Sequence, residues 1–251
     1  MGSGSAALAL FGIAPGLALG SFLTVVASRV PAGRSVVRPR SACPSCSTEI
    51  SWHDNVPVVS YLLLRGRCRH CGAGIGALYP ALELLTALLV AACLLAFGLT
   101  ADAAVAAFAC CVLVAVSAVD IERRIIPDKI VLPATVVVLA AQTALHPSAE
   151  WALACFGASA FLLVAALAYP GGMGLGDVKL ALLMGALLGR NVAPALMIGM
   201  AAAMLPALFL LARHGSAARK MAIPFGPFLA LGTVVALFAG DRLLEAYLAT
   251  F

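Results

Sequence analysis

Long runs of apolar residues constrain this chain more than any other feature of its sequence. A helix needs about 20 predominantly apolar residues to cross the hydrocarbon core of a bilayer. Eight such stretches are predicted, at 6–28, 79–98, 102–120, 129–146, 151–170, 177–190, 193–212 and 223–240. Because 63% of the 251 residues are hydrophobic and 11% are charged, a single soluble core is excluded. We therefore predict an all-α, multi-pass membrane protein with about eight transmembrane helices.

The first and the sixth stretch differ from the others. No Lys or Arg precedes Arg29, so the first stretch lacks the basic start of a cleaved signal peptide and is expected to remain as a membrane span. The sixth stretch, 177–190, is short, and it can cross only if it is tilted or buried among other helices. We predict three regions: a first span at 1–28, a polar region at 29–78 and a seven-span membrane domain at 79–251.

The basic residues predict which way the helices cross. With alternate crossings, all of the 16 Lys and Arg residues except Arg190 and Arg242 fall on one face, and such a bias marks the cytoplasmic side. The 29–78 region is then cytoplasmic, and Asp120 and Asp177 lie at the cytoplasmic ends of the third and sixth spans. The net charge of +5 is explained by this topology and by contact with the lipid bilayer, so no nucleic acid partner is predicted.

The 29–78 region contains a candidate metal site. Cys43 and Cys46 form one C-x-x-C pair, and Cys68 and Cys71 form a second pair, with 21 residues between the two pairs. Two such pairs brought together by the intervening loop provide the four thiolates of a structural zinc site. A redox-active pair and thiols without a role are the alternatives. The other four cysteines lie in apolar spans, where a thiol packs like a small hydrophobic side chain.

Asp120 and Asp177 are the candidate catalytic residues. Each lies at the end of an apolar helix, where an ionisable group is costly and therefore a functional candidate. Two carboxylates that meet cannot both ionise easily, so one keeps a proton while the other acts as a base, as in aspartic proteases. The structural alternatives are an ion pair of Asp120 with Arg123 or Arg124, and a helix cap by Asp177.

Other residues near these two carry open interpretations. Gly172, Gly174 and Gly176 precede Asp177 at every second position, and we expect them to let the backbone pass close to other helices. Asp128 follows Pro127 at the start of a span, so it is a helix cap or a catalytic group. Glu83, in the second span, is expected to pair with an arginine or to serve in function.

Several segments together resemble the type IV prepilin peptidases, which are membrane aspartic proteases with a G-x-G-D signature. The segments are "GSFLTVVASRVP" (20–31), the cysteine region with its following span (43–89), "DIERRIIPD" (120–128), "GMGLGDVKL" (172–180) and "IPFGPFLALG" (223–232). The resemblance implies that Asp120 and Asp177 are the catalytic pair. Thr24 departs from the usual "GSFLN" pattern and puts little in doubt for proteolysis.

The resemblance also implies an activity. Bacterial members of this family cleave the leader of type IV prepilins or pseudopilins after glycine, at the cytoplasmic face of the inner membrane. They commonly then methylate the new N-terminus with S-adenosylmethionine, although the sequence itself carries no methyltransferase fingerprint. The competing hypotheses are a proton-coupled membrane transporter that uses paired aspartates, and a zinc-binding membrane scaffold without catalysis.

Overall fold

Nine α-helices account for most of the part of the chain that the computed structural model describes, which comprises residues 3–169, 173–215 and 223–249. No β-strand occurs within these ranges. The helices are α1 (Ser3–Arg29), α2 (Val59–Leu63), α3 (Leu78–Phe97), α4 (Ala101–Arg123), α5 (Asp128–Leu145), α6 (Glu150–Ala168), α7 (Leu175–Leu188), α8 (Val192–His214) and α9 (Gly226–Leu248). The prediction of an all-α protein is confirmed. Gly172, Arg219 and Lys220, which the sequence analysis used, lie outside the described residues.

Seven stretches of the described residues are long and apolar enough to cross a membrane. Six of them fall on α1, α3, α4, α5, α6 and α9, and the seventh, Leu175–His214, contains both α7 and α8. Its 40 residues are twice the number that one crossing needs. The protein is therefore a multi-pass membrane protein, and the number of its crossings depends on whether the chain turns back between α7 and α8.

The chain does turn back there. The residue after α7 is Gly189, whose φ of +55° is a conformation that glycine adopts without strain. A short 3₁₀ turn (Gly189–Asn191) then leads into α8. α8 runs antiparallel to α9, since Asn191 lies against Gly240 and Gly199 against Leu229.

α7 runs in the same direction as α9. Its C-terminal end is joined to that of α9, where the guanidinium of Arg190 approaches the carboxylate of Asp241 at 3.4 Å. At the opposite end, the first turn of each of these helices interacts with Asp120 of α4. Since α8 is antiparallel to α9, α7 and α8 are separate crossings, and the eight predicted spans are all present as helices.

α7 is the shortest of these crossings. Its 14 residues extend about 21 Å, against about 30 Å for the hydrocarbon core of a bilayer. Ten of the 14 residues are buried, because α5, α6 and α9 pack around the helix. At its C-terminal end, the Leu187 carbonyl accepts a hydrogen bond from the side-chain amide of Gln142 at 3.1 Å. The expected burial among neighbouring helices thus explains how so short a helix fits.

The chain forms two compact units, Met1–Ala103 and Ala104–Phe251. In the first unit, α1 and α3 pack antiparallel at close range, with Gly12 against Ala91 and Gly20 against Glu83. Such small residues allow two membrane helices to approach closely. In the second unit, side chains from α4 to α9 share one apolar core. Asp120 and Asp177 both belong to the second unit, and the four cysteines of the C-x-x-C pairs belong to the first.

Candidate active site

Asp120 lies in the last turn of α4 and is buried, with 5% of its surface exposed. Its Oδ2 accepts a hydrogen bond of 2.9 Å from the backbone N–H of Gly226, the first residue of α9. The free N–H groups at a helix N-terminus are favourable partners for a carboxylate. Within the described residues, the partner of the Asp120 carboxylate is this backbone group and not Arg123 or Arg124. The ion-pair interpretation of Asp120 therefore does not hold.

Asp177 is buried in the first turn of α7, with 8% of its surface exposed. The N-cap of this helix is Gly174, so Asp177 occupies the third helical position and not the cap position of the structural alternative. Its backbone N–H donates to the Gly174 carbonyl at 3.1 Å, and its carboxylate lies against the Gly174 backbone. The turn at Gly174 thus fixes the position of the Asp177 carboxylate at the start of α7.

The carboxylates of Asp120 and Asp177 lie close enough for their charges to interact. Three buried acidic side chains occur in the described residues, and Glu83, the third, belongs to the other unit. The structure therefore brings together the two residues that the sequence analysis singled out, from segments that are 57 positions apart in the numbering. A buried pair of carboxylates at helix ends can exchange protons with a water molecule or a substrate held beside it.

Two glycines make this approach possible. A Cβ atom on Gly176 would lie 2.9 Å from the Cβ of Ile126, in the loop after Asp120. A Cβ atom on Gly226 would lie 2.9 Å from the Oδ2 of Asp120. Gly174, in contrast, contacts only its own turn, and Gly172 lies outside the described residues. Of the three glycines before Asp177, Gly176 is thus the one for which a close approach to another segment is seen.

Asp128 and Lys179 form an ion pair that the sequence analysis missed. The Nζ of Lys179 lies 2.7 Å from Oδ2 and 2.8 Å from Oδ1 of Asp128. Asp128 is the first residue of α5, and no side-chain cap is formed at this helix end. Both side chains are partly exposed. The pair joins the N-terminal ends of α5 and α7 beside Asp177, and no short-range pattern in the sequence indicates it.

Replacing Asp128 is expected to have little effect, because a partly exposed ion pair contributes at most about 1 kcal/mol to stability. We predict that Asp128→Asn retains most of the activity of the unmodified protein, with its free energy of unfolding lowered by less than about 1 kcal/mol. The measurement is the rate of substrate cleavage at equal amounts of membrane-inserted protein. A loss of about 100-fold or more, which is the contribution of a positioned general acid or base, would show instead that Asp128 takes part in the chemistry.

In the first unit, the four cysteines of the C-x-x-C pairs converge. All four Sγ atoms lie within 4.8 Å of one another. The Sγ atoms of Cys43 and Cys71 are 3.8 Å apart, and those of Cys46 and Cys68 are 4.0 Å apart. Four thiolates placed tetrahedrally at about 2.3 Å from a zinc ion would be about 3.8 Å from one another. The donor set and the spacing thus fit a tetrahedral metal ion.

The two C-x-x-C turns share one backbone pattern. The N–H of Cys43 bonds to the Thr48 carbonyl, and the N–H of Ser47 bonds back to the Cys43 carbonyl. Cys68 makes the equivalent bonds with Ala73 and Gly72. Two matching turns are what a four-thiolate site needs to present its ligands from both sides.

Glu83 has a partner that the sequence analysis did not predict. Its Oε2 accepts a hydrogen bond of 2.7 Å from the backbone N–H of Val58, and no ion pair with an arginine is found in the described residues. Glu83 is buried in α3, whereas Val58 belongs to the cysteine region and has a φ of +59°, which is rare for a β-branched residue. The carboxylate thus ties the cysteine region to a membrane helix.

Both parts of the chain match known families. Residues 15–97 match a family model described as the bacterial peptidase A24 N-terminal domain, and residues 107–212 match one described as the type IV leader peptidase family. The first range contains the four converging cysteines. The second contains Asp120 and Asp177.

Individual relatives are similar over nearly the whole chain. The prepilin leader peptidase/N-methyltransferase of Bacillus subtilis (strain 168) is 34% identical over 93% of this chain and 95% of its own length. That of Pseudomonas aeruginosa is 36% identical over 93% of this chain and 91% of its own length. That of Stutzerimonas stutzeri is 32% identical over 99% of this chain and 96% of its own length. No solved structure matches the chain.

Proposed function

Because the chain belongs to the type IV leader peptidase family, we propose that it is a membrane aspartic endopeptidase whose catalytic residues are Asp120 and Asp177. Its substrates are type IV prepilins or pseudopilins, and it removes their leader after glycine at the cytoplasmic face of the inner membrane. The observation that carries this proposal is the burial of two interacting carboxylates, from the last turn of α4 and the first turn of α7.

The geometry suggests how one carboxylate acts as a general base while the other acts as a general acid. The Gly226 N–H binds Oδ2 of Asp120, which fixes the orientation of the carboxylate. Two adjacent carboxylates share one proton. The ionised partner takes a proton from water as the water oxygen attacks the scissile carbonyl, and the protonated partner donates its proton to the carbonyl oxygen. The C–N bond then breaks as the leaving nitrogen takes the proton that came from water.

The transporter hypothesis is not supported. A coupled transporter carries its ionisable residues near the middle of the bilayer, whereas Asp120 and Asp177 lie at helix ends. The relatives with similarity over most of the chain carry the name of a peptidase and methyltransferase. Family membership likewise disfavours a scaffold without catalysis.

A structural zinc ion is proposed for the first unit, held by Cys43, Cys46, Cys68 and Cys71. Such an ion would supply folding energy to the 29–78 region, in which few apolar side chains are buried. The names of the relatives also imply S-adenosylmethionine as the methyl donor for the mature N-terminus. No group among the described residues is assigned to that donor.

Removal of the cysteine ligands is expected to release the metal. We predict about one zinc ion per chain in the purified protein and none in a Cys43→Ser/Cys46→Ser variant, because two thiolates do not complete a four-coordinate site. The loss should make the 29–78 region more susceptible to proteolysis. Zinc is measured by elemental mass spectrometry, with Cys155→Ala, a buried cysteine outside the cluster, as the control. An active protein without zinc would contradict this site.

The proposed function is tested by co-expression with candidate prepilins and pseudopilins in a host that lacks its own leader peptidase. The expected result is a pilin that is shortened by its leader, with a mature N-terminus whose mass carries one additional methyl group. A cleaved but unmethylated product would support the peptidase activity and contradict the methyltransferase activity. If no candidate is cleaved although the protein is inserted in the membrane, the proposed function is wrong for those substrates.

A further inference from the structure

Large apolar side chains lie exposed on the surface of the cysteine region, where no membrane helix is formed. Five of them lie between position 52 and the end of α2, and we call these five the apolar patch: Trp52, Val56, Val59, Leu62 and Leu63. Trp52 is 84% exposed and Leu63 is 78% exposed. Exposed apolar surface of this extent commonly marks a site of interaction with a protein or a membrane.

The local fold turns these side chains outward together. On α2, Val59, Leu62 and Leu63 have the spacing that places side chains on one face of a helix. Ser60, which follows Val59 on the same helix, is turned inward and buried. The Ser60 hydroxyl donates to the His53 carbonyl at 2.9 Å and accepts from the Val56 N–H at 3.0 Å. Polar groups therefore hold the segment together from the inside. Its apolar side chains stay exposed, although the Trp52 ring makes an edge contact with the His53 ring at 5.7 Å.

The apolar patch is fixed near the end of a membrane helix. The Val58 N–H, in the middle of this segment, donates to Glu83 at 2.7 Å. Glu83 is the sixth residue of α3, about 8 Å from the start of that helix. α3 is long and apolar enough to cross the bilayer. The segment that carries the patch therefore lies beside the N-terminal end of the α3 span.

The charges beside the patch suit an anionic lipid surface. Arg65 and Arg67 follow α2 directly and are exposed. The acidic residues of the 29–78 region are Glu49 and Asp54, and Asp54 is neutralised by two-pronged hydrogen bonds with Arg69. Arginines next to a membrane helix attract anionic headgroups, and Trp together with aliphatic side chains is typical of the boundary between headgroups and acyl chains.

We propose that the apolar patch inserts into the headgroup–acyl boundary of the same bilayer that α1 and α3 cross, with Arg65 and Arg67 on anionic headgroups. The cysteine region is then held against the membrane surface by three anchors, namely the two helices and the patch. This inference uses only the geometry of the first unit, and it does not depend on the proposed catalytic activity.

Trp52 is a built-in reporter, because the chain has two tryptophans and Trp151→Phe leaves Trp52 alone. This variant is reconstituted in phosphatidylcholine–phosphatidylglycerol vesicles, with and without bromine atoms on the upper acyl carbons. We expect the brominated lipid to remove most of the Trp52 emission and aqueous acrylamide to remove little. Strong quenching by acrylamide with none by bromine would overturn the proposal. Shielding from both quenchers would overturn it as well, since a protein surface would then cover the patch.

A second variant tests the face itself. Leu62→Glu/Leu63→Glu, in the Trp151→Phe background, should shift Trp52 from quenching by bromine to quenching by acrylamide. Val37→Glu is the matched control, because Val37 is a 77% exposed apolar residue of the same unit outside the patch, and it should change nothing. Unchanged bromine quenching in the double variant would refute the assignment. If the double variant is misfolded, Arg65→Gln/Arg67→Gln is used in its place. This variant should reduce bromine quenching in anionic vesicles. No reduction would contradict the proposed contact of the two arginines with anionic headgroups.

Discussion

Asp120→Asn and Asp177→Asn are each expected to lower prepilin cleavage by at least about 10²- to 10⁴-fold, the range that a positioned general acid or base contributes. Asparagine has nearly the same shape as aspartate, and its carbonyl oxygen can still accept the hydrogen bond from Gly226. The fold should therefore persist while proton transfer is lost. Cleavage is measured as the fraction of mature pilin over time, at equal amounts of protein in the membrane.

Combining the two substitutions tests whether the carboxylates act as one catalytic unit. If they act as one unit, the double variant Asp120→Asn/Asp177→Asn should be no slower than the worse of the single variants, since effects within one catalytic unit are not additive. Asp241→Asn, at the opposite end of the same unit, is the matched control and should retain full activity. Normal cleavage by either single variant would remove that residue from the catalytic pair.

Gly226→Ala is expected to cost about 100-fold in cleavage, the loss that a displacement of about 1 Å can cause in an active site. The new Cβ would lie 2.9 Å from the Oδ2 of Asp120, and the Asp120 Cβ would be 3.4 Å away, so rotation of the carboxylate alone does not relieve the contact. Gly176→Ala should have a similar effect, because its Cβ would meet the Cβ of Ile126.

Gly157 offers the control for these substitutions. It lies in the α6 helix, and a Cβ atom there would meet nothing within 4 Å. Gly157→Ala should therefore retain activity and slightly raise stability, because alanine has the higher helix propensity. If Gly226→Ala and Gly157→Ala cleave at the same rate, the close approach of α9 to Asp120 has no part in catalysis.

Much of this arrangement could be predicted from local patterns in the sequence. Apolar runs of the right length predict membrane helices, and two C-x-x-C pairs predict four converging thiols, because each pattern is set by neighbours along the chain. Asp120 and Asp177 could be picked out for a similar reason, since each interrupts an apolar run at a helix end. These predictions needed no knowledge of which helices pack together.

The contacts that complete the site could not be predicted in this way. The bond from Gly226 to Asp120 joins residues 106 positions apart, and the pair of Asp128 with Lys179 joins residues 51 positions apart. Neither residue type nor spacing indicates such partners, because they depend on the packing of α5, α7 and α9. The partner of Glu83 could not be predicted for the same reason. Its charge favours an arginine, whereas the carboxylate accepts a hydrogen bond from the backbone N–H of Val58, in a turn with an unusual conformation.

The proximity of the two carboxylates is the central claim, and a thiol cross-link measures it most directly. Asp120→Cys and Asp177→Cys are combined in a chain whose other membrane-buried cysteines are replaced by alanine, and inverted membrane vesicles are treated with a short bifunctional thiol reagent. We predict that mass spectrometry will find the peptides of α4 and α7 joined, whereas an Asp120→Cys/Asp241→Cys pair stays separate. If both thiols react with a monofunctional reagent from the same face but are never joined to each other, the two aspartates do not form one site.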